Sequence, residues 1–197
     1  FGLQRGRAVL EDVVAATARL EPRPEIALTT NGVGLAARAR ALADAGLDRV
    51  NVSLDTLDPA HFTAITRRNR LDEVLAGLAA AAAAGLGPIK VNAVLDPVTG
   101  PGDAVELLRF CLKFGYQLRI IEQMPLDAGG QWTRETTVSA GAIEATLRRE
   151  FDLRADPAPR GSDRSRRTAR ASLRGPTESC PGPGVRPTSV FAARGHK

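Results

Sequence analysis

Aromatic residues are scarce: they make up 4% of the 197 residues, with one Trp and one Tyr. Proteins that bind single-stranded nucleic acid by stacking successive bases need more rings than this, which argues against that class. Cysteine is scarcer still. Cys111 and Cys180 lie far apart in segments of different character, so neither a disulfide framework nor a complete metal site can be assembled from them alone. No apolar run reaches the length of about 20 residues that a spanning helix needs, so no membrane partner is expected. The N-terminus lacks the basic-then-apolar order of a signal peptide, and the expected compartment is the cytoplasm. Four motifs with well-understood mechanics are missing as well: the P-loop, G-x-G-x-x-G, H-E-x-x-H and C-x-x-C.

What is present is a hydrophobic content of 43%, enough to bury a core. The net charge of +5 is unevenly spread. Residues 155–197 hold nine basic and three acidic residues, whereas residues 1–154 hold 18 basic and 19 acidic. The division predicts a near-neutral globular part, 1–154, and a low-complexity basic tail, 155–197. The tail is rich in Arg, Pro, Gly and Ser with few apolar residues, so it is expected to be disordered and to attract polyanions without specificity. No specific nucleic-acid partner is expected.

Within 1–154, segments rich in Val, Ile and Leu alternate with Ala/Leu-rich helical patterns, the rhythm of βαβ units around a parallel sheet. Helices are predicted near Val9–Leu20 and around the apolar sets Leu35/Ala39/Leu42, Leu71/Val74/Leu75/Leu78, Ala104/Leu107/Leu108/Cys111 and Ala140/Ile143/Leu147/Phe151. Three of them end on a Gly followed by a large residue: Gly46-Leu47, Gly85-Leu86 and Gly115-Tyr116. Each stop precedes a strand, over 49–54, 89–94 and 118–122, and Ile26–Thr29 is the strand before them. Asp58-Pro59 reads as an N-cap followed by Pro at the first helical position.

Two strands are polar on one face. Asn51, Ser53 and Asp55 alternate with Val50, Val52 and Leu54, and Lys90 and Asn92 alternate with Ile89, Val91 and Ala93. A strand covered by helices on both faces should be apolar throughout, so one face meets helices and the other a polar ligand. A partial barrel with helices outside and a ligand near the C-terminal strand ends satisfies this. Lys90, in mid-strand between apolar neighbours, either snorkels out or meets a negative partner, a phosphate or, as a Schiff-base nucleophile, a carbonyl. Arg119 is placed comparably in the last strand, where a salt bridge to a helix is an equally plain account. Thr29-Thr30-Asn31-Gly32 reads either as an anion- or ribose-holding turn or as an ordinary capped one. His61 and His196 show no nearby partner in sequence, and Cys111 reads as a core thiol.

Together, Ala27–Gly32, Asp44–Asp55, Ile89–Val94 and Arg119–Leu126 resemble the GTP 3′,8-cyclase family of radical S-adenosylmethionine (SAM) enzymes, over about residues 9–154. The resemblance implies an α/β fold, a partial (β/α) barrel of the radical SAM type, incomplete here at its N-terminus and followed by the tail. It implies conversion of GTP to a 3′,8-cyclised product in molybdenum-cofactor biosynthesis, with SAM and two 4Fe-4S clusters as cofactors, and a homodimer. By position, Thr29 and Lys90 would contact GTP, and Arg119 would face substrate. Ser53 and Met124 would contact SAM, and Gly2 falls where the family's SAM-binding Gly-rich motif lies. No catalytic residue is carried over. The family's C-x-x-x-C-x-x-C loop and second set of cluster cysteines are not in these 197 residues, which implies an inactive portion of such an enzyme. A Lys90 Schiff-base lyase and a non-enzymatic remnant with a polyanion-binding tail are the alternatives.

Overall fold

The computed structural model describes residues 5–97, 99–121, 138–155, 166–173 and 188–193. In chain order the elements are α1 (Arg5–Ala18), β1 (Ala27–Thr30), α2 (Ala39–Asp44), β2 (Arg49–Ser53), α3 (Pro59–Thr66), α4 (Leu71–Ala83), β3 (Lys90–Val94), α5 (Gly100–Phe114), β4 (Gln117–Ile121), α6 (Ala140–Glu150), β5 (Phe151–Ala155), β6 (Arg166–Leu173) and β7 (Thr188–Ala193). They fall into two compact units, Phe1–Ser53 with Arg68–Lys90, and Leu54–Arg67 with Val91–Lys197.

The Gly-plus-large-residue repeat is a helix-stop device. Gly46, Gly85 and Gly115 have φ of 104°, 81° and 71°, which a side chain would strain. The residue after each Gly donates its N–H five residues back: Leu47 to Leu42 O at 2.9 Å, Leu86 to Ala81 O at 3.1 Å and Tyr116 to Cys111 O at 2.9 Å. That bond pattern is a Schellman stop, and the large residue is buried against the helix it closes, at 5%, 3% and 4% exposure. The chain thus leaves each helix in a fixed direction toward the next strand.

In the first unit β1 and β2 pair in parallel, with Ala27 opposite Arg49 and Thr29 opposite Asn51. Val50 and Val52 are fully buried, so the other face of β2 carries Arg49, Asn51 and Ser53. α4 contributes Leu71, Val74, Leu78 and Ala81 to the core. The predicted helix around Leu35 begins later, at Ala39, because Gly32 and Gly34 take φ of 81° and 74° and hold the intervening residues in turns. At the N-terminal strand ends the Asp48 carboxylate accepts from Ile26 N at 2.7 Å and Arg23 Nη2 at 2.9 Å. The Ile26 amide and the Arg23 guanidinium hold its carboxyl below the ordinary range. Its contribution is therefore complete above the unfolded value of about 3.9 and fades as pH falls through the lower folded value. Asp48→Ala is expected to cost about 1–2 kcal/mol at neutral pH. Urea melts at pH 7 and pH 2.5 check this; a difference between the two proteins that is as large at pH 2.5 as at pH 7 contradicts the account.

In the second unit Asp58 caps α3 by accepting from His61 N at 2.7 Å, with Pro59 in the first turn, as the sequence predicts. The strand order is β3-β4-β7-β6-β5, with β4 and β7 parallel and β7-β6 and β6-β5 antiparallel. Val91, Ala93, Leu118 and Ile120 are buried against the helices, joined by Leu107, Leu108 and Cys111 of α5 and Ile143 and Leu147 of α6. Phe151, predicted on the last helix, instead opens β5 and is fully buried. The tail departs from expectation at two places. Arg166–Leu173 and Thr188–Ala193 are strands, because a neighbouring strand satisfies their backbone groups where no side-chain period advertises pairing. Residues 156–165, 174–187 and 194–197 lie outside the described residues, and the expectation of disorder there lies outside with them.

Candidate ligand-binding face

Thr29 lies at the C-terminal end of β1, exposed, and its Oγ1 accepts from Asn51 Nδ2 at 3.1 Å. The two turn residues after it are spent locally: Gly32 N donates to Thr30 Oγ1 and Val33 N donates to Asn31 Oδ1, each at 3.1 Å. The capped-turn account therefore covers Thr30 and Asn31 but not Thr29. Ser53 ends β2, exposed on the same strand face as Asn51. Lys90, expected in mid-strand, instead opens β3 at its N-terminal end, half-buried on the face opposite Val91 and Ala93, and Asn92 shares that face. Arg119 occupies the centre of β4, half-buried and again opposite the buried residues Leu118 and Ile120. β2 and β3 thus keep the predicted division into a buried apolar face and a polar face, and in β4 Arg119 shares the less buried face with Gln117 and Ile121. Met124 and Gly2 lie outside the described residues, as do Cys180 and His196.

The second unit holds a polar cluster that sequence reading misses. His61 is not a partnerless surface residue: its Nδ1 lies 3.0 Å from Asp103 Oδ2, and the pair is 17% and 11% exposed. Thr56, fully buried, donates from Oγ1 to Asp103 Oδ1 at 2.5 Å and accepts from Asp58 N at 3.0 Å. Asp55 Oδ1 accepts from Val94 N at 2.8 Å. Burial pushes the Asp55 carboxyl up, the Val94 amide opposes that, Asp103 adds to it and His61 opposes it. The cluster ties the segment after β2, the start of α3 and the start of α5 together, and Asp103 in the first turn of α5 also suits the helix dipole. Only the Asp58-Pro59 signal hinted at it, since Thr56 and Asp103 are 47 residues apart.

The described residues hold no group of three or more His, Cys, Asp or Glu able to take a metal. Cys111 is fully buried on α5, and burial pushes its thiol up, away from the thiolate that ligates iron. The chain's two cysteines do not fit a 4Fe-4S cluster, which takes several thiolates. Among the described residues no helix is long and apolar enough to cross a membrane.

The chain is 73% identical over 153 residues to GTP 3′,8-cyclase 2 of Mycobacterium tuberculosis (strain ATCC 25618 / H37Rv), covering 78% of this chain and 42% of that protein. The GTP 3′,8-cyclases of Mycobacterium marinum and Mycolicibacterium smegmatis are 71% and 67% identical with the same coverage of 78% and 42%. The chain thus spans 42% of the length of these curated relatives. Among solved structures, coproporphyrinogen III oxidase from Escherichia coli, described as a radical SAM enzyme, aligns with a TM-score of 0.53 at 13% identity, over 72% of this chain and 34% of that one. At that identity the likeness concerns the fold alone. The sequence pattern of the Radical SAM superfamily matches residues 6–111, more than half of the chain, which therefore belongs to that superfamily.

Proposed function

We propose that the chain supplies part of the nucleotide- and SAM-binding face of a GTP 3′,8-cyclase acting in molybdenum-cofactor biosynthesis in the cytoplasm. The observation that carries this is the set of polar strand side chains: hydroxyls at Thr29 and Ser53 and an ammonium at Lys90 in the first unit and a guanidinium at Arg119 in the second, the last three each alternating with buried apolar neighbours. Cations suit a triphosphate, and short hydroxyls suit ribose or phosphate oxygens. Identity of 67–73% to proteins named GTP 3′,8-cyclase supports GTP as the nucleotide. In this proposal Thr29, Lys90 and Arg119 meet GTP, Ser53, Met124 and Gly2 meet SAM, and all lie within residues 1–154. A homodimer belongs to the same proposal and reads out as twice the chain mass in sedimentation.

The whole enzyme's radical chemistry needs a cluster that these 197 residues do not fit, so no bond-breaking step is assigned to them and the chain alone is proposed to be inactive. Reconstitution with iron and sulfide is expected to leave it without a stoichiometric cluster. A brown protein with about four irons per chain and a reduced-cluster EPR signal contradicts that expectation. Binding is tested by calorimetry with GTP against CTP at fixed salt. Saturable binding that prefers GTP supports the reading, and equal or absent heats for both overturn it.

A further inference from the structure

We propose that Asn51 is a positioning residue that fixes the Thr29 hydroxyl as a donor toward an acceptor oxygen of the bound nucleotide. The inference rests on the reading of Thr29 as a GTP contact. In the first unit Glu25, Arg49, Asn51 and Thr29 form a chain of contacts. Arg49 Nε lies 3.0 Å from Glu25 Oε1, Arg49 Nη1 donates to Asn51 Oδ1 at 3.4 Å, and Asn51 Nδ2 donates to Thr29 Oγ1 at 3.1 Å. A guanidinium has five donors and no acceptor, so the amide end facing Arg49 must be the carbonyl. The NH₂ end then faces Thr29, whose oxygen accepts. The hydroxyl has one proton, and among the described residues no acceptor takes it. With Thr29 exposed at the strand end, that proton is left to be given outward. A phosphate, ribose or carbonyl oxygen fits such a donor, whereas an amine or N–H does not. The parallel register that sets Thr29 opposite Asn51 makes the pairing a property of the sheet, not of a flexible loop.

Asn51→Asp tests this because it is nearly isosteric, gains an ion pair with Arg49, and reverses the bond: a carboxylate takes the Thr29 proton. GTP affinity of the 197-residue chain is measured by calorimetry for wild type, Asn51→Asp, Thr29→Val and the double variant. The expected result is a loss of about tenfold for Asn51→Asp in the wild-type background and less than about twofold in the Thr29→Val background. An equal loss in both backgrounds overturns the inference, since repulsion by the new charge then explains it. A loss for Thr29→Val with none for Asn51→Asp also overturns it and leaves the GTP reading standing. No loss for Thr29→Val overturns the GTP reading at Thr29, and the inference with it. A second readout uses no variant at position 51. The wild-type Asn51 side-chain amide protons should exchange slowly by NMR and faster in Thr29→Val, and an amide indifferent to Thr29→Val overturns the inference.

Discussion

Lys90→Ala is expected to weaken GTP binding by roughly ten- to a hundredfold, since a charge-assisted contact contributes on the order of 1.5–3 kcal/mol. The expectation rests on where Lys90 sits. It is the first residue of β3, half-buried, and shares a face with Asn92 while Val91 and Ala93 are fully buried on the other. An ammonium on the polar face of a strand suits a triphosphate, with which it makes charge-assisted contacts. Lys90→Arg should restore only part of the affinity, because a planar fork replaces a compact point charge in a fixed space. Calorimetry at one salt concentration decides the matter, since screening changes such contacts. Equal affinities for wild type and Lys90→Ala remove Lys90 from the site. Irreversible trapping of a carbonyl compound on Lys90 by borohydride would instead favour Schiff-base chemistry.

Gly77→Val should destabilise the chain by about 3 kcal/mol, the upper end of what overpacking a core costs. A Cβ on Gly77 of α4 would stand 2.7 Å from the Gly32 carbonyl oxygen and 3.1 Å from Leu35 Cβ. The carbonyl cannot easily withdraw, because it already accepts from Leu35 N at 3.1 Å. Gly32 is equally confined: its φ is 81°, and a Cβ there would lie 2.9 Å from Val74 Cγ1. Helix α4 therefore presses on the turn that follows Thr29, and crowding this contact should lower nucleotide affinity along with stability. Gly102→Ala in α5 is the matched control. Its Cβ would meet nothing within 4 Å, so the substitution should be neutral or stabilising by up to about 1 kcal/mol. Denaturant melts of the two variants make the comparison, and equal midpoints contradict it.

Much of this arrangement can be read from the sequence because its causes are local. The Gly-Leu, Gly-Leu and Gly-Tyr stops need only a left-handed residue and an apolar one after it, and each strand begins within five residues of its Gly. The polar and apolar faces of β2 and β3 follow from a period of two along a single strand. What stays hidden depends on partners far away in the chain. The hydrogen bond from Asn51 to Thr29 is one such contact, since only the parallel register brings the two alongside. The His61–Asp103–Thr56 cluster joins three segments whose local sequences are each ordinary. The strands Arg166–Leu173 and Thr188–Ala193 owe their conformation to pairing, with little side-chain alternation to announce it.

The central claim, that the polar strand residues Thr29, Ser53, Lys90 and Arg119 take a nucleotide, is tested most directly by titrating GTP into ¹⁵N-labelled chain and mapping the amide shifts. The account predicts saturable changes at Thr29, Asn51, Ser53, Lys90 and Arg119, with Arg23, Ile26 and Asp48 at the opposite ends of β1 and β2 left unmoved. Shifts confined to Arg23, Ile26 and Asp48, to the Arg-rich segment 155–197, or absent altogether would contradict it.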